Sequence, residues 1–221
     1  MISGAVLTVF AAASLTNVFP QIAPHDRYSF SGSNMLAAQI QQGAPADVFA
    51  SANTKLPAQL YEQGLVEKPV VFTRNELILI VPRSNPARIH SVYDLRKPGV
   101  KLVVGAVGVP VGDYTRVVLH NLGLDDVANK AVSQETDVRE VLAKVALGEA
   151  DAGFVYVTDA RTVKGKVATI GIRRSAQPIV QYAVAVVKSS KHLAAARAFV
   201  HGLLGNAAQA KLRAAGFLAR R

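Results

Sequence analysis

Read for its hydrophobic and polar positions, the chain alternates short apolar runs of strand length with longer stretches of helical period. The β-branched run "AVLTVF" (5–10) predicts a first strand, and residues 14–23 predict the helix after it. "YSFSG" predicts a second strand and "NMLAAQIQQG" a helix that stops at Gly43. "ADVFAS" (46–51) predicts a third strand, followed by a helix in "TKLPAQLYEQG". "LILIVP" (77–82) and "KLVVGAV" (101–107) are continuously apolar, the pattern of strands covered on both faces. "DYTRVVLHNLG" (113–123) and "VREVLAKVALGEA" (138–150) read as amphipathic helices with Gly at or near their ends. "AGFVYV" (152–157) and "YAVAVV" (182–187) are strands again. The tail predicts two helices broken at Gly205-Asn206, with Asn206 as N-cap of the second.

This βα alternation predicts an α/β architecture with mostly parallel sheets. No low-complexity segment, repeat or Gly/Ser-rich linker divides the chain. The length of 221 residues suits one large domain or two small ones, and half of the residues are hydrophobic, enough for a sizeable core. Two domains would be joined by strands, with 78–83 and 181–188 as the expected crossings. The lobes would then be 1–80 with 188–221, and 81–187.

Composition removes several classes of chemistry. The absence of Cys excludes disulfides, thiolate metal sites and Cys nucleophiles, and says nothing about compartment. The net charge of +10 invites a nucleic-acid reading, yet no basic cluster is interleaved with aromatics and there is no Trp. The densest basic spots are Arg173-Arg174 and Arg220-Arg221. The charge therefore reads as a solvated surface that can steer small anions, with no nucleic acid as partner. No apolar run approaches the roughly 20 residues of a membrane span. "MISGAV" reads as a start close before the first strand with no signal peptide, so that an exported protein would have lost its leader.

In open α/β sheets, ligands bind beyond the carboxyl ends of the strands. Ser14 follows "TVFAAA" and Ser33 follows "YSFSG", each placed to cap the next helix. Val111 and Gly112 follow "AVGVP", and Thr136, Asp137 and Val138 precede "REVLAKVA". Each junction offers the unpaired N–H groups and roughly half a positive charge of a helix start. Converging, such starts make an anion site without a cationic side chain. The small residues Ala11 to Ala13 and Gly32 leave the backbone approachable, and Pro110 orients the turn ahead of Val111. Tyr156 ends an apolar strand, where pattern allows equally a core ring with its hydroxyl at the rim or a hydroxyl aimed into a cleft.

Enzymatic signatures are missing. Neither serine sits in G-x-S-x-G, the five His residues lie at no ligand spacing, and "GAVGVPVGDY" matches neither phosphate-binding glycine motif. The chain reads as no enzyme, with no catalytic residue, no bare metal ion and no cofactor.

Several segments in order carry a family resemblance: "VFAAASLTN" (9–17), "FSGSNMLAAQIQQGAPADVFASA" (30–52), "YDLRKPGVKLVVGAVGVPVGDYTRVVL" (93–119), "TDVREVLAKVALGEADAGFVYVTDA" (136–160), "YAVAVVK" and the final "AAGF". Together they resemble the periplasmic molybdate-binding proteins, the soluble receptors of molybdate ABC transporters. The resemblance implies a type II periplasmic-binding-protein fold, two α/β lobes joined by two strand crossovers with the ligand in the cleft. It implies that the oxyanion is contacted by the hydroxyls of Ser14 and Ser33, the backbone N–H groups of Val111 and Val138, and the hydroxyl of Tyr156. The departure lies between the first helix and second strand, where only "VFPQIAPHDRYS" (18–29) stands and Pro20 and Pro24 imply a short or irregular first helix.

The reading is an extracytoplasmic, periplasmic receptor for molybdate and also tungstate, a monomer whose partners are the small oxyanion and a membrane permease. A receptor for sulfate is the alternative within the class. The effector domain of a cytoplasmic regulator, or a hydrolase using Ser14, are the alternatives outside it.

Overall fold

The computed structural model describes residues 5–220. The opening Met1 to Gly4 and Arg221 lie outside the described residues, and with them the expected chain start and one arginine of the terminal pair. In chain order the elements begin with β1 (Thr8–Ala12), a 3-10 turn (Ala13–Leu15), α1 (Phe19–Ile22), β2 (Arg27–Ser31) and α2 (Ser33–Gln41). β3 (Val48–Ser51), α3 (Lys55–Glu62), β4 (Val70–Asn75) and β5 (Leu77–Pro82) follow. Next come β6 (Leu102–Gly105), α4 (Pro110–Asn121), α5 (Asp125–Asn129), β7 (Ser133–Glu135) and α6 (Val138–Ala146). β8 (Ala152–Tyr156), α7 (Val157–Thr162), β9 (Val167–Ile170), β10 (Val180–Val186), α8 (Leu193–Leu204) and α9 (Asn206–Ala215) complete the chain.

The chain divides into two units, one reaching to Arg74 and resuming at Val180, the other Asn75–Ile179. The passages fall at 74/75 and 179/180, ahead of the segments 78–83 and 181–188 expected from sequence. The reason is pairing. β5 lies wholly in the second sheet between β8 and β9, and β10 lies in the first beside β3, so their apolar character reflects burial within one sheet.

The first sheet has the order β2-β1-β3-β10-β4. β1 runs parallel to both β2 and β3, whereas β10 is antiparallel to β3. One core cluster joins Phe10 and Phe49 with Leu36 and Ile40 of α2 and Leu60 of α3. A second, aromatic set stacks Phe19, Phe72, Tyr182 and Phe217 edge to face or tilted. The helix expected over 14–23 is instead the 3-10 turn followed by the four-residue α1, with Pro20 in its first turn. A proline fits only there, because it lacks the N–H that a longer helix would need.

The second sheet has the order β7-β6-β8-β5-β9. β7, β6 and β8 are parallel neighbours, and β5 runs antiparallel to β8 and β9. Both sheets are thus mixed, with parallel βα units next to antiparallel strands. α6 packs on β8 at Gly153, where a Cβ would come within 2.7 Å of Val141. At the far end of the chain, Asn206 is the first helical residue of α9 and Gly205 takes the N-cap position expected for it.

Candidate functional site

In the first unit, β1 and β2 are parallel neighbours in the register Ala12 to Ser31. Ser14 and Ser33 each lie two residues beyond those partners, so both leave the sheet at the same end. Neither hydroxyl caps its helix, contrary to the capping expected from sequence. The N-cap of the 3-10 turn is Ala12 and that of α2 is Gly32, and each serine is already inside its turn. Both serines are buried, at 4% and 1% exposure. The Ser14 hydroxyl lies 2.8 Å from that of Tyr182. The Ser33 hydroxyl accepts the N–H of Ala52 at 3.1 Å, which leaves its own proton to donate elsewhere.

In the second unit, β7-β6-β8 carry three candidates at their carboxyl ends. Val111 is in the first turn of α4 after β6, Val138 opens α6 after β7, and Tyr156 ends β8 and is the N-cap residue of α7. All three are buried. The start of α4 lies against β6 backbone to backbone. A Cβ on Gly112 would stand 2.2 Å from the carbonyl oxygens of both Gly105 and Ala106, so only glycine permits this approach. Asp113 accepts the N–H of Gly108 and fixes the loop ahead of Pro110. At α6, the side chain of Asp137 accepts the N–H groups of Arg139 and Glu140. That leaves Val138 as the first-turn donor outside the cap. Among the described residues no acceptor takes the N–H of Ser33, Val111 or Val138.

The charged groups near these donors form one cluster. Asp159, in the first turn of α7, is fully buried, and its Oδ1 lies 3.3 Å from Nε of Arg139. Burial pushes its carboxyl up to about 7, opposed by the Arg139 charge. Burial also raises the Asp137 carboxyl, opposed by the two N–H groups it caps. Among the described residues no cluster of His, Asp and Glu could hold a metal ion.

The structure thus brings Ser14 and Ser33 to one end of the first sheet, and Val111, Val138 and Tyr156 to one end of the second. Sequence reading missed Tyr182, whose hydroxyl meets Ser14 across 168 positions, and the Arg139–Asp159 pair. The signal for Tyr182 is a polar-tipped aromatic opening a run of Ala and Val.

The two mixed α/β sheets are those of a two-lobed type II periplasmic-binding-protein fold. The family model for bacterial extracellular solute-binding proteins matches residues 7–218. The molybdate-binding protein ModA of Mycobacterium tuberculosis is 38% identical, with 96% of this chain and 84% of that protein covered. The molybdate-binding protein ModA of Escherichia coli is 33% identical, covering 96% and 88%. The Azotobacter vinelandii periplasmic molybdate-binding protein superposes with a TM-score of 0.84 at 24% identity, covering 96% of this chain and 98% of that one. The chain belongs to the bacterial extracellular solute-binding proteins, in the group of the ModA molybdate-binding proteins.

Proposed function

We propose that this protein captures molybdate, and tungstate with it, outside the cytoplasmic membrane and delivers it to the permease of an ABC transporter. The observation that carries this reading is the set of unclaimed N–H groups at Ser33, Val111 and Val138, each in the first turn of a helix. Helix starts of this kind take anions through fixed N–H dipoles. The hydroxyls of Ser14, Ser33 and Tyr156 add donors, and with the N–H groups of Ser14, Ser33, Val111 and Val138 the set comes to about seven. Relatives named for molybdate supply the identity of the anion.

In this reading the dianion is held by these N–H and O–H donors, and the loaded protein is what the permease recognises. Neutral donors suit an ion that is fully deprotonated at neutral pH. A phosphate that keeps a proton would have to turn one of the hydroxyls into an acceptor and so lose its donation. The surface charge of +10 would raise the rate of capture without contacting the ion. No resident cofactor and no catalytic group is required. Calorimetric titration with molybdate and sulfate tests the reading. Tight molybdate binding with much weaker sulfate binding is expected, and equal affinities or no molybdate binding would overturn it.

A further inference from the structure

The N–H of Val111 can serve an ion only where the turn that carries it is held still. The start of α4 has no side-chain cap: its N-cap is Val109, and Pro110 opens the helix. The turn is fixed from its other side instead. Thr115, fully buried, donates its hydroxyl to the Val111 carbonyl at 2.7 Å. Arg116, the next residue, donates Nη1 to the Gly112 carbonyl at 2.9 Å and to the Gly105 carbonyl at 3.0 Å. Its Nη2 reaches Oε1 of Gln134 on β7 at 3.4 Å. The Thr115 bond stays inside the helix, and the bond from Gly108 to Asp113 stays between the loop and the helix. The guanidinium instead ties the turn to the sheet, because Gly105 is the last residue of β6.

We infer that Arg116 is a positioning residue for the oxyanion: by bridging the carbonyls of Gly105 and Gly112, it fixes the turn that presents the Val111 N–H. This inference rests on the proposed oxyanion function and deepens it. Gly105 and Gly112 meet so closely that a Cβ on Gly105 would stand 2.7 Å from the Gly112 nitrogen. Two carbonyl oxygens that share one nitrogen lie near each other, and their lone pairs repel unless a donor stands between them. A planar guanidinium supplies that donor with N–H groups of fixed direction, whereas a Lys ammonium is a compact charge on a flexible stem. The three oxygens that Arg116 reaches are all neutral, so its hydrogen bonds set geometry and form no ion pair. Geometry matters here because an N–H bond weakens steeply once its angle falls below about 120°.

The test pairs calorimetric titration with sodium molybdate and amide NMR of the isotope-labelled whole protein. In the wild type, molybdate is expected to move the amide protons of Ser33, Val111 and Val138 downfield, as each gains an acceptor. Arg116→Met keeps an apolar stem and removes the donors. It is expected to bind molybdate about fivefold more weakly. At saturating molybdate its Val111 shift is expected to fall below about half of the wild-type value, with those of Ser33 and Val138 unchanged. A role in stability alone, or through charge alone, leaves the Val111 shift whole. An undiminished Val111 shift, an undiminished affinity, or a fall shared equally by the three amides therefore overturns the inference. Should Arg116→Met not fold, Arg116→Lys is read in the same way, because its side chain keeps the charge but is shorter and lacks the planar fork. A full Val111 shift in that variant overturns the inference. A wild type in which molybdate moves none of the three amides would instead refute the proposed function.

Discussion

The hydroxyl of Ser14 lies 2.8 Å from the hydroxyl of Tyr182, with both side chains buried. Tyr182 is held from two sides by Phe72 and Phe217, whose rings meet it nearly edge-on, so its hydroxyl cannot easily follow a moving partner. Ser14 is therefore oriented by a rigid aromatic. Tyr182→Phe is expected to weaken molybdate binding about fivefold and to cost about 1 kcal/mol of stability, the net worth of one buried hydrogen bond. Titration calorimetry and thermal melting of the same sample check both. Ser14→Ala, which removes the proposed donor itself, is expected to weaken binding further.

Val111 separates a backbone role from a side-chain role. Val111→Ala leaves the N–H in place, so molybdate affinity is expected to change by less than about twofold. The side chain is 1% exposed, and its truncation is expected to cost about 2 kcal/mol in chemical denaturation. A large loss of affinity at unchanged stability would show that the side chain, and not the N–H, serves the ion.

Gly112 gives the converse. A Cβ there has no room beside the carbonyl oxygens of Gly105 and Ala106. Gly112→Ala is expected to push the start of α4 off β6 and to cost about 2 kcal/mol or more, with molybdate binding lost together with stability. A variant as stable as the wild type and binding normally would contradict the close approach.

Asp159 makes a pH signature. Its folded pKa of about 7 lies above the ordinary 3.8, so the protonated form is favoured in the folded protein. The stability that this group contributes is complete below the ordinary value and is lost as pH rises through about 7. Denaturation of wild type and Asp159→Asn at about pH 5 and about pH 8 is expected to show the wild type losing stability relative to the variant, by at most about 3 kcal/mol. An unchanged difference between the two pH values would show that the carboxyl is not shifted.

Much of the fold was legible because strands such as 77–82 and 152–156 are buried on both faces and read as unbroken apolar runs. Strand β4, "VVFTRN", was not, because its polar end breaks the pattern, and the three- and four-residue β7 and β9 are too short to show a period. The early helix was misjudged in length because periodicity continues past Pro20 while the backbone does not. Ser14, Ser33, Val111 and Val138 were visible as helix starts, since N-terminal signals are local. Tyr182 and the Arg139–Asp159 pair were not, since their meaning lies in partners 168 and 20 positions away.

One diffraction measurement tests the central claim most directly: crystals grown with molybdate, with data collected at the molybdenum absorption edge. A single anomalous peak is expected, with tetrahedral oxygens about 2.6–3.0 Å from the hydroxyls of Ser14, Ser33 and Tyr156 and the N–H groups of Val111 and Val138. A peak elsewhere, or a site bridged by the Arg139 guanidinium in place of these donors, would contradict the account.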